Sequence, residues 1–442
     1  MTLLRRMACV ALLAAGPAFA ADLLQVYREA QDNDPTYAGA RATADAGREK
    51  LAQGRAGLLP SLTLSGTTVW NENELSVGSN TVKPRYNSNS YTATLSQPLF
   101  RWQNWVQYGQ GKYQAALAEA QLQQARQDLI LRVAQAYFDV LYAEENLRAL
   151  EANKTAIAQQ LESAKKNFEV GTSTITDTHE AQARYDLAVA QEIGAQSDLE
   201  VRRRALQAII GREPGTLAQV KAEAKLLPPV PAEMSKWVEA AESGSITVQI
   251  QQANAEIASL EVDKQRAGHY PTLDVVANAG RNNSVTSGVP SNSLETDFRN
   301  IGLQLSLPIF QGGLVLSRDR EAVANRAAAQ AALEAARRAS ILAARQYYLG
   351  VVNGLAQLRA LAAAKLSSQS ALESNKLGYE VGVRINIDVL NAENQVYQTR
   401  RDFARAALDT LMAQLKLKAA VGALGEDDLA QANALLDPAT VR

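Results

Sequence analysis

Two short stretches of the 442-residue sequence contain residue types that could support catalysis or cofactor binding. His179-Glu180 begins like the zinc pattern His-Glu-x-x-His, in which two His side chains one helical turn apart bind the metal, but Ala183 replaces the second His. Residues 109–112 (Gly-Gln-Gly-Lys) lack the spacing and the Ser or Thr of a phosphate-binding loop. We find no nucleophile with a plausible base, so the sequence predicts no enzyme, no metal and no cofactor.

Carboxylates could instead have an electrostatic role, and two of them, Asp177 and Asp388, occupy equivalent positions in an internal repeat. Phe-Glu-Val-Gly at 168–171 recurs as Tyr-Glu-Val-Gly at 379–382, and the two aspartates follow at the same distance. Further matches at nearly the same spacing pair 59–60 with 270–271 and 96–100 with 306–310. Several separated matches at one spacing predict that the chain is an internal duplication.

The elements that must position these residues follow one order in both repeats. A helical stretch leads to two segments that alternate apolar and polar residues, as in Ile301, Leu303 and Leu305, which indicates strands with one apolar face. A glycine near the end of each long helix allows a second helix to fold back beside it. The predicted strands are 61–70, 88–100, 272–281 and 298–310, and the predicted helices are 22–57, 103–168, 177–210, 236–267, 314–379 and 388–420.

The domain organisation predicted from these patterns has five parts. Residues 1–20 have a basic start, a short apolar run and an Ala-x-Ala ending, as in a secretory signal peptide, with a buried N-terminal helix as the alternative. The only cysteine, Cys9, lies in this segment. Repeat 1 spans 21–212, a linker spans 213–235, repeat 2 spans 236–422 and a tail spans 423–442.

The composition excludes several classes of protein. The 45 Lys and Arg residues nearly balance the 46 Asp and Glu residues, so there is no basic excess for a nucleic-acid partner. The low content of Gly (26) and Pro (13) favours long helices. No run of about 18 apolar residues exists, so no transmembrane helix is expected.

Strands with one apolar face allow two architectures. A soluble sandwich would bury the apolar face, and a membrane barrel would turn it toward lipid. Residues 300–310 make a segment long enough to cross a bilayer, but four strands cannot close a barrel, and a sheet in lipid leaves no open edges. A barrel would therefore need several chains. Two would make a filled barrel of eight strands, and three a barrel of twelve with an aqueous lumen.

Taken together, four motifs resemble the TolC family of outer-membrane efflux proteins. They are Asp-Leu-Leu-Gln-Val-Tyr at 22–27, Ile-Thr-Asp at 175–177, Pro-Ile-Phe-Gln-Gly-Gly at 308–313 and the run from Gly378 to Ala392. The resemblance implies an α+β membrane protein in which long antiparallel α-helical coiled-coil hairpins form a periplasmic tunnel. It also implies that four β-strands per chain contribute to a trimeric twelve-stranded β-barrel, and that the linker and the tail form an equatorial domain.

The resemblance also implies a function and partners. The expected function is the exit duct of a tripartite multidrug efflux pump or of a type I protein secretion system, located in the outer membrane with a large periplasmic portion. The expected partners are two further copies of the chain in a homotrimer, outer-membrane lipid, a periplasmic adaptor (membrane fusion protein) and an inner-membrane transporter, either an RND pump or an ABC exporter. The alternative is a non-conducting periplasmic coiled-coil scaffold or adhesin.

In this family, side chains near the second helix of each repeat close the periplasmic end of the tunnel. The resemblance implies that Tyr379 and Arg384 tether the inner helix pair to the outer pair. Their partners in the outer pair would be Thr176 and Asp177. It further implies that Asp388 forms an acidic ring on the threefold axis, which would attract cations.

Asn391 departs from the family pattern, in which a second Asp is typical at this position. It lies one turn after Asp388 on the same helix face, so we expect one ring of carboxylates backed by a ring of amides. The resemblance also implies adaptor-docking turns at Val170, Gly171, Val381 and Gly382.

Each of these residues also has an ordinary structural explanation. Thr174 and Asp177 have the spacing of a helix capping box, and Asp388 could stabilise the N-terminus of a helix. Tyr379 and Arg384 could be packing and surface residues, and a glycine near the end of a helix often only ends it. The sequence leaves these alternatives open.

Overall fold

The computed structural model of the chain describes residues 21–221, 226–285 and 293–437. The predicted signal peptide at 1–20, with Cys9, lies outside the described residues, as do residues 222–225 of the predicted linker and 438–442 of the predicted tail. None of the helices in the described ranges is both long enough and apolar enough to cross a membrane.

The chain forms two compact units. The first comprises the described residues of Met1–Gly39, Ala125–Ser245 and Ser340–Arg442, and the second comprises those of Ala40–Gln124 and Ile246–Ala339. Each unit therefore takes segments from both predicted repeats. In order along the chain, the helices are α1 (Leu23–Asn33), α2 (Pro35–Ala56), α3 (Trp102–Glu169), α4 (Ile175–Ile210), α5 (Met234–Gly244), α6 (Ile246–Arg266), α7 (Leu314–Glu380), α8 (Asn386–Ala420) and α9 (Glu426–Asn433).

The second unit contains six strands in its described residues: β1 (Ser61–Glu72), β2 (Leu75–Val77), β3 (Asn80–Val82), β4 (Arg85–Phe100), β6 (Thr272–Val285) and β7 (Ser293–Ser306). The short strand β5 (Gln219–Val220) belongs to the first unit. Four of the six form a sheet with the order β1-β4-β6-β7, in which every neighbouring pair is antiparallel. Strands β2 and β3 form a short hairpin between β1 and β4 in the sequence.

The four strands of the sheet extend further into the polar loops than the alternation of residues indicated. Strand β1 continues past 70 to Glu72, and β4 begins at Arg85 instead of 88, so that the pairing ends with Glu72 opposite Arg85, whose side chains form an ion pair (2.6 Å). Strands β6 and β7 are extended in the same way, with Arg281 paired to Asp297 at 2.8 Å.

Strand β7 also ends earlier than predicted. It runs from Ser293 to Ser306 instead of from 298 to 310. Pro308 has no backbone N–H to donate to a neighbouring strand, which explains why the sheet pairing does not continue through it.

The two faces of the sheet differ as the alternation predicted. Leu62 and Leu64 of β1 and Ile301 and Leu303 of β7 are exposed. The other face carries a line of polar side chains across three strands. Thr94 donates a hydrogen bond to Asn278 (2.8 Å), and Asn278 donates one to Asn300 (3.0 Å). The apolar side chains are not buried within this chain, so the sheet needs another apolar environment.

Helices α2 and α3 approach each other closely in the second unit at glycines. A Cβ atom at Gly111 would lie 2.7 Å from the carbonyl oxygen of Lys50, a distance that real Cβ atoms essentially never show. The Gly-Gln-Gly-Lys sequence at 109–112 lies inside the continuous helix α3. Gly111 is therefore explained by helix packing.

The helical stretch that begins each repeat is interrupted, and both interruptions lie in the first unit. The stretch predicted at 22–57 divides into α1 and α2 at Asp34, before a proline that begins the second helix. The stretch predicted at 236–267 divides into α5 and α6 at Ser245, whose backbone is not helical and whose hydroxyl oxygen accepts a hydrogen bond from Ser340 (3.0 Å).

The predicted linker and tail contact each other in the first unit. Strand β5 (Gln219–Val220) pairs with β8 (Leu436–Asp437), which follows helix α9. The buried hydroxyl of Tyr137 donates to the carbonyl oxygens of Ala21 (3.1 Å) and Ala218 (2.9 Å). Burial raises the pKa of Tyr137, which keeps this hydroxyl protonated as a donor.

Apolar residues recur along α3 and α7 at alternating steps of three and four, which is the heptad seam of a coiled coil, and part of this seam is buried in the first unit. Ile130, Val133 and Val140 of α3 and Val351 of α7 are fully buried. Glu144, the polar interruption of the seam, pairs with Arg203 of α4 at 2.8 Å. The seam therefore tolerates a carboxylate because a neighbouring helix supplies its counter-charge.

Candidate functional site

The turns of the two helical hairpins have the same backbone geometry. Gly171 and Gly382 have φ angles of 79° and 78°, in the left-handed region that residues other than glycine rarely adopt. The N–H of Thr172 donates to the carbonyl of Asn167 (2.8 Å), and the N–H of Val383 donates to that of Gly378 (2.9 Å). These bonds satisfy the last carbonyls of α3 and α7, so the helix-ending role of the glycines is confirmed.

The exposed side chains around these turns include several apolar ones. Val170 and Val381, beside the two glycines, are exposed, and so are Val383 and Ile385. Their role in binding an adaptor stays a prediction.

Asp177 forms the helix capping box that the sequence offered as the alternative to a tethering role. Its carboxylate accepts hydrogen bonds from the N–H and the hydroxyl of Thr174, both at 2.9 Å. The Thr174 hydroxyl oxygen accepts in turn from the Asp177 N–H (3.3 Å). Thr176, the neighbouring predicted partner, is exposed. Asp177 therefore stabilises the first turn of α4 within a single chain, and a second role as a tether partner stays a prediction.

Asp388 lies in the first turn of α8, where the helix dipole favours a negative charge. Its carboxylate lies 3.6 Å from the guanidinium of Arg384, which precedes the helix. Both side chains are partly exposed, so the ion pair itself contributes little to stability. Within the described part of this one chain, Arg384 thus pairs with its own hairpin, and its contact with Thr176 or Asp177 stays a prediction.

Tyr379 joins the two hairpins through a residue that the sequence analysis did not select. Its hydroxyl oxygen accepts a hydrogen bond from the side chain of Asn167 on α3 (3.3 Å). The ring packs against the buried residues Leu372 and Val389. Asn167 directly precedes the repeated Phe-Glu-Val-Gly motif, which is the signal that could have identified it.

Asn391 has a hydrogen-bond partner on the other hairpin that the sequence did not indicate. Its side-chain oxygen accepts a hydrogen bond from Arg184 of α4 (3.1 Å). Nearby on α8, the carboxylate of Glu393 is 3% exposed and pairs with Lys376 of α7 at 2.8 Å. The end of the hairpins is therefore held together by polar contacts between helices as well as by apolar packing.

Comparison with known proteins identifies the family to which this arrangement belongs. The sequence profile of the family described as outer membrane efflux protein matches twice, at residues 26–212 and 237–423. The chain belongs to the outer membrane efflux protein family. The family was predicted from the sequence motifs, and that prediction is confirmed.

Relatives of this family match over almost the whole chain. The outer membrane protein TolC of Vibrio cholerae serotype O1 is 33% identical over 94% of both chains. The proteases secretion protein PrtF of Dickeya chrysanthemi is 31% identical over 97% of this chain and 94% of its own length. The predicted outer-membrane location is confirmed by these relatives and by the family match.

Solved structures show the same fold at lower identity. The CmeC outer membrane channel of Campylobacter jejuni has a TM-score of 0.80 at 17% identity, covering 94% of this chain and 90% of that one. The outer membrane protein VceC of Vibrio cholerae has a TM-score of 0.77 at 19% identity, covering 90% and 96%. The predicted fold class, long helical hairpins with a few strands in a duplicated chain, is confirmed.

Proposed function

We propose that this outer membrane efflux protein acts as a homotrimeric exit duct of a tripartite efflux pump or a type I secretion system. The observation that carries the proposal is the sheet of the second unit. In the described part of the chain, β1 and β7 are its outer strands and each has one unpaired edge. Unpaired edges of this length need a partner in a membrane, where no water is available to bond them.

The direction of the strands suits closure by copies of the same chain. Because the order β1-β4-β6-β7 is antiparallel throughout, β7 of one copy would also be antiparallel to β1 of the next. Three copies would make twelve strands, with Leu62, Leu64 and Ile301 toward lipid and Thr94 and Asn278 toward an aqueous lumen.

The hairpin turns are the proposed contacts with the other components. A periplasmic adaptor would dock on the turns at Val170-Gly171 and Val381-Gly382, whose exposed apolar side chains would be covered on binding. The energy for transport would come from the inner-membrane transporter, an RND pump or an ABC exporter. The similarity to proteins named for efflux and for protease secretion supports both classes.

The gate would lie near the start of α8. Asp388 would form the acidic ring, and Tyr379 and Arg384 would tether the inner hairpin to the region of Thr176 and Asp177. The contact of Tyr379 with Asn167 supports a tethering role, because it already joins α7 to α3. We assign Asn391 a part in the same closure, since its side-chain oxygen is bound by Arg184 of the other hairpin.

The test is conductance of the purified full-length protein in a planar lipid bilayer. We expect a detergent-dependent trimer that gives single-channel currents of low amplitude, which increase when the gate contacts are broken. A protein that stays in solution without detergent and never conducts would instead be a periplasmic scaffold or adhesin, and the proposal would be wrong.

A further inference from the structure

A cavity of about 100 Å³ lies in the first unit, lined by residues of α3, α4 and α8. This is more space than a single water molecule needs. The lining includes apolar side chains such as Ile157 and Leu390, but also several polar ones. The cavity adjoins the proposed gate, because it is lined by Leu390, next to Asn391, and by Arg184, which binds Asn391.

The charges around the cavity are positive. Arg184 of α4 and Arg401 of α8 both line it, and none of the described residues that line it is acidic. The neighbouring carboxylates of Glu192 and Glu393 are each neutralised by a lysine, Lys154 at 2.5 Å and Lys376 at 2.8 Å. An anion in the cavity would therefore meet two guanidinium groups without an opposing free carboxylate in the lining.

Two buried polar atoms of the lining residues have no hydrogen-bond partner within the described chain. Asn153 of α3 is 5% exposed, and its side-chain oxygen is buried without a donor. The Nε of Arg401 is buried without an acceptor, although Nη1 of the same side chain donates to Asn146 (3.3 Å). Buried polar atoms are almost always paired, because leaving one unpaired destabilises the folded state.

The chemistry of the missing partner follows from these two atoms. It must accept a hydrogen bond from the guanidinium of Arg401 and donate one to the oxygen of Asn153. Arg184 keeps further N–H groups besides the one that binds Asn391, and a guanidinium pairs well with planar or tetrahedral oxyanions. Water also offers an acceptor and a donor, but an anion in addition compensates the two guanidinium groups, which no carboxylate in the described lining opposes.

We propose that this cavity binds a small oxyanion that carries its own hydroxyl group, of the chemical class of monohydrogen phosphate. Its charged oxygens accept from Arg401 and Arg184, and its hydroxyl donates to Asn153. The bound anion thereby links α3 and α4 of the first hairpin to α8 of the second. The proposal does not depend on whether the protein conducts.

Calorimetric titration of the full-length protein in a neutral detergent tests the site, with inorganic phosphate as the probe near neutral pH. Sulfate is the matched control ligand, because it has the same tetrahedral shape and carries no hydroxyl at this pH. We expect saturable phosphate binding with one site per chain, and binding of sulfate about tenfold weaker, since the oxygen of Asn153 then stays unpaired. Equal affinity for the two anions, or no saturable phosphate binding, would overturn the proposal.

Variants test the assigned residues. Arg401→Gln should weaken phosphate binding about tenfold or more, because a charged donor is lost. Arg204→Gln is the matched control, since Arg204 lies exposed on α4, pairs with Glu200 (2.7 Å) and does not line the cavity. If both variants bind phosphate like the original chain, the site assignment is wrong.

Asn153→Asp tests the acceptor without a change of side-chain size. A carboxylate in the cavity should repel the anion and abolish phosphate binding, whereas a cavity that holds only water predicts no difference. Circular dichroism and size-exclusion chromatography show whether each variant keeps its helical content and assembly. Asn153→Ser provides a smaller change for the case in which the aspartate variant does not fold, and it should still weaken phosphate relative to sulfate.

Discussion

The guanidinium of Arg184 on α4 donates a hydrogen bond to the side-chain oxygen of Asn391 on α8, with 3.1 Å between the two atoms. The two residues are 207 positions apart in the sequence and belong to different hairpins. Asn391 was predicted only as an amide lining the proposed constriction. Its contact shows that the residue also joins the two hairpins, so a charged substitution at this position changes both the charge and the helix contact.

A carboxylate in place of the Asn391 amide should make the proposed constriction more selective for cations. Asn391→Asp adds one negative charge per chain, and Arg184 offsets it only in part because this contact is exposed. The measurement is the reversal potential of the channel in a salt gradient. Asn391→Ser, which adds no charge, is the control. A shift of the same size in both variants would show that charge at this position is not the cause.

Removal of the proposed acidic ring should have the opposite effect. Asp388→Ala should lower cation selectivity and weaken block by divalent cations, because three carboxylates on one axis would no longer face the ion path. Planar-bilayer recordings with and without a divalent cation measure both effects. Asp186→Ala is the comparison, since Asp186 lies on α4 outside the proposed gate and its carboxylate accepts an exposed hydrogen bond from Gln182 (2.9 Å). Unchanged selectivity and block in Asp388→Ala would mean that this residue does not form the ring.

The contact of Tyr379 with Asn167 should favour the closed arrangement of the hairpins. Tyr379→Phe removes only the hydroxyl oxygen that accepts the bond, a loss of about 1 kcal/mol per chain, which corresponds to about a fivefold increase in the ratio of open to closed for each chain. Single-channel open probability is the measurement. Tyr347→Phe makes the same chemical change elsewhere in the first unit, at a partly buried position of α7, and should leave the open probability unchanged. An equal effect of both variants would contradict a tethering role for Tyr379.

An ion pair in the first unit should make stability depend on pH. Arg132 binds both oxygens of Asp34 at 3.0 Å, and the Tyr37 N–H donates to the same carboxylate (2.7 Å). The Asp34 side chain is 3% exposed. Burial alone would raise the pKa of Asp34, but the hydrogen bonds and the charge of Arg132 outweigh it, so the pKa lies below its ordinary value.

The sign of the pH dependence follows from this lowered pKa. The unfolded chain binds the proton more readily than the folded one, so the contribution of Asp34 is complete above the ordinary aspartate pKa of about 4 and is lost as the pH falls through the folded pKa. Asp34→Asn should cost about 2 kcal/mol at neutral pH. Thermal unfolding at several pH values should show the difference between variant and original chain shrinking in acid. A difference that stays constant with pH would contradict the assignment.

Two glycines of α3 provide a matched pair for helix packing in the second unit. Gly111→Ala should destabilise the protein by about 1–3 kcal/mol, because its Cβ would lie 2.7 Å from the Lys50 carbonyl oxygen. A Cβ at Gly109 meets only a methyl group of Leu260 at 3.6 Å, an ordinary contact. Gly109→Ala should therefore be neutral or stabilising by up to about 1 kcal/mol through helix propensity. Thermal unfolding in detergent measures both variants, and equal effects would exclude close packing as the reason for Gly111.

The sequence by itself determined the features that depend on neighbouring residues. The duplication, the alternating strands and the long helices could be read from periodicity, and the capping box at Thr174 and Asp177 from a spacing of three residues. The left-handed glycines at 171 and 382 were also recognisable, because a helix that turns back on itself needs such a residue at its end. These features are local, so the residues that cause them are adjacent or nearly so in the chain.

Only the tertiary structure decided which side chains meet between the hairpins. The partners of Tyr379 and Asn391 are Asn167 and Arg184, and the cavity beside Asn153 lies where three helices leave a gap. These contacts depend on the rotation and the axial register of helices that are more than two hundred residues apart in sequence. The heptad pattern indicates the face that a helix buries, but a shift of one turn along that face exchanges every polar partner.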